Sequence, residues 1–200
     1  PSLNSERFLR RKTEQLAESK WNAAFKLLRK LIKLTPDSDM AKPELFYRLS
    51  EMFWERASST EIRAFATEES CLERNKGPSA ERQCADARKI MVAKSDRYRD
   101  DAIKVYKHIV RKFPNYPKLD GVLFALAFNF QQKGKQQAAK KIYKKLIQRF
   151  PRSRHVPDTL LNFAEIYFEE GRVDVAVKAY RKVVTNYRKS GVYGYALYKL

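Results

Sequence analysis

LDGVLFALAFNFQQKGKQQAAKKIYKKLIQRF at 119–150 and PRSRHVPDTLLNFAEIYFEEGRVDVAVKAYRKVVTNY at 151–187 overlay with a constant shift of 37 residues. Leu123, Leu126, Ala127, Phe130, Gly134, Ala139 and Tyr143 fall on Leu160, Phe163, Ala164, Tyr167, Gly171, Ala176 and Tyr180. Self-similarity at a period between about 20 and 50 residues marks stacked repeats, each too small to bury its apolar face alone. Within each copy the apolar spacing is helical and the glycine marks a tight turn, so each copy reads as two antiparallel helices. The expected pairs are 119–133 with 135–150, closed by Pro151, and 157–170 with 172–187.

The same pattern extends in both directions. Residues 5–34 read as one long helix, or two abutting ones, with Ser5 as cap and Phe8, Leu9, Leu16, Ala23, Ala24, Leu28, Leu31 and Ile32 at helical spacing. Pro36 ends it, because proline cannot continue the hydrogen-bond ladder. Its end, Ala23 to Pro36, copies Ala138 to Pro151, so it is a repeat's second helix. Pro43 opens a first helix in which Phe46, Leu49, Ser50 and Phe53 stand where Leu123, Leu126, Ala127 and Phe130 stand. No turn follows near Ala57. Helical patterning runs on to Asn75-Lys76-Gly77-Pro78 and returns through Ala80, Cys84, Ile90 and Ala102 to Pro114. Residues 43–114 therefore read as one repeat whose helices are both extended into a long hairpin. The alternative is a flexible insertion at 58–97. Residues 192–200 begin a further first helix, and we expect the chain to be a fragment. The expected organisation is one all-α solenoid over 1–200: an N-terminal helix (5–36), the hairpin (43–114), regular pairs (119–151 and 157–188) and the opening of another repeat (192–200).

A hydrophobic content of 44% supports a sizeable core, and no apolar run approaches the roughly 18 residues of a membrane span. The net charge of +19 implies attraction to something anionic. From 102 to 200 there are 21 Lys and Arg against 6 Asp and Glu. Lys26, Lys104, Lys141 and Lys178 are repeat equivalents, as are Arg29, Lys107, Lys144 and Arg181, and Lys30, His108, Lys145 and Lys182. Stacking would align them into basic columns on the outer side. The plainer reading is a solvated helix face, where lysine is simply a good helix former.

Cys71 lies six residues before Gly77 and Cys84 seven after, so the hairpin brings them face to face. The same register pairs Phe65 with Ile90 and Ala57 with Tyr98. A Cys71–Cys84 disulfide would pin the tip and argue for an oxidising compartment; two buried thiols are the alternative. Two Cys and two distant His make no metal cluster. His108 on an outer face and His155 in a linker have no evident partners. No convergent acid, base and nucleophile and no phosphate loop is present, so neither catalysis nor a cofactor is expected.

Paired helices with these Ala, Tyr/Phe and Pro positions resemble the tetratricopeptide family. The resemblance covers 20–57 and 80–200; the family's Trp is replaced by Leu or Phe, and its first-helix Gly by Ala or Ser. The period of 37 resembles tetratricopeptide lipoproteins and periplasmic coupling proteins of the bacterial envelope. Phe113-Pro114-Asn115-Tyr116-Pro117 and Val192 to Leu200 look, more loosely, like large myxobacterial repeat proteins, some of them in gliding-motility machinery. The resemblance implies a non-catalytic scaffold whose first helices line a concave groove. Groove positions are then Tyr47, Trp54, Phe124, Phe128, Leu161 and Phe168, with Glu51, Gln131, Glu165 and Glu169 between them. The family's Lys/Asn clamp for peptide carboxylates is absent at these places. An aromatic groove suits a helical or extended segment of a protein partner. The implied place is the periplasm or envelope, with the cytoplasm as alternative. The basic columns would meet an acidic protein or anionic surface; nucleic acid is the weaker reading, because aromatics are not interleaved with the basic residues.

Overall fold

The computed structural model describes the backbone of residues 3–200 and the side chains of 8, 9 and 12–200. Eight helices and no strand are found among them: α1 Leu3–Leu34, α2 Lys42–Arg74, α3 Pro78–Lys112, α4 Leu119–Gln132, α5 Gln136–Arg149, α6 Val156–Glu169, α7 Val173–Asn186 and α8 Tyr193–Tyr198. Each packs chiefly on its neighbours in sequence, which makes a solenoid. Gly134 (φ 66°) and Gly171 (φ 74°) adopt the left-handed backbone that closes α4–α5 and α6–α7.

The repeat equivalences become packing equivalences. Ala102, Ala139 and Ala176 are fully buried, as are Tyr106, Tyr143 and Tyr180 and, one turn later, Ile109, Leu146 and Val183. The alanines bring paired helices close, and the tyrosines fill the space beside the first helices. Ala127 and Ala164 on the first helices are equally buried.

α2 and α3 run uninterrupted through 58–97 as a long hairpin. Ser95 donates from a buried hydroxyl to the Ala57 carbonyl at 2.8 Å, Arg99 pairs with Glu61, and Arg88 with Glu68. Cys71 and Cys84 are joined as a disulfide with their Cα atoms 5.7 Å apart, within the ordinary range. Phe65 and Ile90, expected as a facing pair, are both mostly exposed; the Arg88 guanidinium covers the Phe65 ring instead.

α1 differs from the sequence expectation in which residues pack. It begins at Leu3, upstream of Ser5, whose side chain lies outside those described. Phe8 (57% exposed), Leu16 (56%) and Leu31 (41%) face solvent. The docking residues are Trp21, which meets Tyr98, and Phe25, which meets Phe53, while Arg56 lies over the Trp21 ring and pairs with Glu18. The reason is topological. Leu31 occupies the position of Ile109, Leu146 and Val183, which a paired first helix covers in the other repeats; among the described residues the ring contacts of α1 with the hairpin fall at Phe53, Arg56 and Tyr98. Its C-terminus is closed by a residue that periodicity does not flag: buried Lys42 donates to the carbonyls of Ile32 (2.6 Å) and Thr35. Orphan carbonyls of a helix end are thereby satisfied.

The linkers carry packing too. Tyr116 is buried and donates to Glu44 at 2.6 Å; its repeat equivalent Ser153 donates to Asp120 at 2.6 Å. Each ties a linker to the start of the preceding first helix. That fixes how α4 follows α2 and α6 follows α4, which sets the shape of the groove.

Candidate partner-binding groove

Tyr47, Trp54, Phe124 and Phe128 converge on one cleft of about 270 Å³ between α2 and α4. Phe124 and Phe128 stand one helical turn apart with rings stacked at 6.3 Å. Tyr47 sits 6.5 Å from Tyr106, ring to ring, and Tyr106 completes the back wall. Glu51 enters the cleft and accepts a hydrogen bond from the Tyr106 hydroxyl at 2.7 Å. Burial pushes the Tyr47 phenol up from its ordinary value, and the charges of Glu51, Glu44 and Asp120 add to the rise.

His155 belongs to this cleft, contrary to its reading as an unpartnered linker residue. It is the N-cap residue of α6 and stacks on Phe124 at 5.1 Å. Ser153 places it, accepting from the His155 backbone N–H at 3.1 Å while donating to Asp120. Gly121 makes the room: a Cβ there would lie 3.4 Å from His155 Nε2 and 3.8 Å from the Tyr47 hydroxyl. Burial holds the His155 imidazole below its ordinary value. His108, expected on an outer face, is half-buried between Phe46 (4.5 Å) and Phe113 (6.0 Å), so it interrupts the third basic column. No sequence period points to His155, because its contacts depend on how α6 is set against α4.

The remaining groove positions are engaged within the chain. Gln131 accepts from Tyr143 at 2.9 Å, and Glu165 accepts from Tyr180. Glu51 and Glu165 are repeat equivalents; the intervening repeat has Phe128 there, so its tyrosine turns to Gln131 one turn further along. Leu161 is half-buried, and Phe168 stays 47% exposed with the Lys199 ammonium 4.3 Å from its ring centre.

The basic residues Lys26, Arg29, Lys104, Lys107, Lys141, Lys144, Lys145, Lys178, Arg181 and Lys182 are all exposed. Lys104 pairs with Asp101 at 2.8 Å; the other nine take part in no salt bridge among the described residues. Lys144, Lys178 and Lys182 rim a second cleft, of about 370 Å³, floored by Leu160, Phe163 and Tyr167. No group of three or more His, Cys, Asp or Glu able to hold a metal exists among the described residues. No helix among them is long and apolar enough to cross a membrane.

Stacked antiparallel pairs with an aromatic cleft on the first helices define an α-solenoid interaction scaffold. Residues 122–153 and 158–190 match the tetratricopeptide repeat family, so the chain carries tetratricopeptide repeats over these two segments. A thermophilic tetratricopeptide-repeat protein of Thermus thermophilus is among the similar solved structures, at 19% identity and a TM-score of 0.45, over 95% of this chain and 97% of that one. No curated protein matches this chain in sequence.

Proposed function

We propose that the protein is a non-catalytic scaffold of a bacterial cell-envelope assembly and holds a segment of a protein partner in its first-helix groove. The observation that carries this is the open aromatic cleft of Tyr47, Trp54, Phe124 and Phe128, where rigid rings offer large contact area at small entropic cost. The envelope assignment is supported by the Cys71–Cys84 bridge, since such bonds persist in oxidising compartments and are rare in a reducing cytosol. Motility machinery is one such assembly, suggested by sequence resemblance alone. The test is capture from envelope fractions with the intact protein and two variants. A partner held by the wild type is to be lost by Phe124→Ala/Phe128→Ala and kept by Lys141→Glu/Lys144→Glu/Lys145→Glu.

A second reading rests on the nine exposed basic residues without a salt-bridge partner. Through them the outer face binds an acidic protein or another anionic surface, nucleic acid included. Capture lost by the lysine reversals and kept by the aromatic double variant selects this reading instead.

A further inference from the structure

Charge is segregated by helix. α4 and α6 hold Asp120, Asp158, Glu165 and Glu169 and no Lys or Arg, while α5 and α7 hold eight basic residues against Asp174 alone. In a chain of net charge +19, no Lys or Arg lines the aromatic cleft; Arg154 stands at its edge, turned to His155, its Nε donating to Nε2 at 3.4 Å.

The repeat two further along the stack shows what such a site takes. Glu165, Phe168 and Tyr180 are the repeat equivalents of Glu51, Trp54 and Tyr106. Tyr180 donates to Glu165 as Tyr106 donates to Glu51. There a cation fills the space: Lys199 lies 4.3 Å from the Phe168 ring centre and 3.5 Å from Glu165 Oε2. Lys199 comes from the following first helix, and its equivalent on α4 is Ala125, which lines the cleft. Alanine is too short to reach Glu51. The first cleft is thus the same constellation with no cation paired to Glu51 among the described residues. The chain repeats the theme at α1, where Arg56 lies 4.9 Å from the Trp21 ring centre and pairs with Glu18. A purely apolar occupant would strip water from Glu51 and offer no compensating charge. A basic side chain satisfies both surfaces: its stem packs on the rings, its head takes the aromatic faces and the carboxylate.

Resting on the groove reading above, we infer that the cleft is a cation subsite that captures one basic side chain of the partner segment, in the place Lys199 fills two repeats further on. Arginine fits best, because a planar guanidinium both stacks and bridges a carboxylate.

The probe is Nα-acetyl-arginine amide against its neutral isostere Nα-acetyl-citrulline amide, titrated while following the Trp54 indole resonance, assigned with Trp54→Phe. The arginine probe is expected to bind at least about fivefold more tightly than citrulline, a preference of roughly 1 kcal/mol. Glu51→Gln is to erase that preference while leaving the circular dichroism unchanged. Ala125→Lys is to fill the site from within, abolishing arginine binding and raising the melting temperature. Equal binding of citrulline, or a preference that survives in Glu51→Gln, overturns the inference; so does arginine binding that persists in a folded Ala125→Lys variant. If capture of a partner still depends on Phe124 and Phe128 while the arginine preference is absent, the cation subsite falls and the groove reading stands. If neither is observed, both fall.

Discussion

Tyr106, Tyr143 and Tyr180 do the same packing work but bond to different acceptors. Tyr106 and Tyr180 donate to carboxylates, Tyr143 to the neutral Gln131. Burial raises all three phenols above their ordinary range, so all three stay protonated donors. Hydrogen bonds to charged groups contribute about 1.5–3 kcal/mol and neutral ones about 0.5–1.5 kcal/mol. Tyr106→Phe is therefore expected to lower unfolding free energy in urea by more than Tyr143→Phe; the reverse order would contradict this account. The two histidines set a pH dependence. Burial is the leading cause that holds His108 and His155 below the ordinary imidazole value of 6.5. Both therefore take up protons more readily in the unfolded chain. Their contribution is present in full above about pH 6.5 and is lost as the pH falls below it. The melting temperature should drop between pH 7.5 and 5, and His108→Gln/His155→Gln should flatten the drop. An equal drop in the double variant would place its origin elsewhere. Neither histidine site could be read from spacing, since each ring is enclosed by residues of two helices or by a linker whose course the repeat period does not specify.

At the level of the helices, periodicity reported more than partners. The buried alanines and tyrosines of α3, α5 and α7 follow from the shift of 37, because in a stacked array equivalent residues meet equivalent neighbours. α1 departs from this: Leu31 has the sequence context of Leu146, yet no first helix faces it among the described residues, and it is exposed. Spacing does not single out Lys42, since a lone lysine after Pro36 has the pattern of a surface residue, whereas its ammonium caps α1. Lys42→Met should cost about 1–3 kcal/mol through carbonyls left without a donor, and hydrogen exchange should rise at residues 30–36. The Cys71–Cys84 bridge closes a short loop with a separation of 13 residues. Chain-entropy arguments give a loop of that size about 3 kcal/mol. Cys71→Ser/Cys84→Ser is expected to lose up to about that amount. Amide exchange should quicken at 65–92, with α4 to α7 unchanged, since stability in a solenoid is transmitted between nearest neighbours. Uniform acceleration along the whole chain would mean that the hairpin and the regular repeats unfold as one unit.

Across the molecule, the one-signed composition visible in the sequence divides into two surfaces. The second helices carry an exposed basic face, and the first helices carry aromatics and carboxylates. The division follows from the repeat: equivalent positions lie in register along the stack, so a preference for Lys or Arg at three positions per repeat becomes a strip, broken in one column by His108. Like charges on such a strip repel one another and are screened by salt over a Debye length of about 8–10 Å. Two consequences distinguish the faces. Binding of a polyanion such as heparin should weaken steeply between 50 and 300 mM salt, and Lys141→Glu/Lys144→Glu/Lys145→Glu should reduce both its affinity and its salt slope. Arginine-probe binding in the cleft should respond far less to the same salt and be unchanged in the lysine variant, because the cleft holds its carboxylate among aromatic walls on α2 and α4. If the lysine reversals alter both activities equally, the protein acts through its total field, and the two-surface account is wrong.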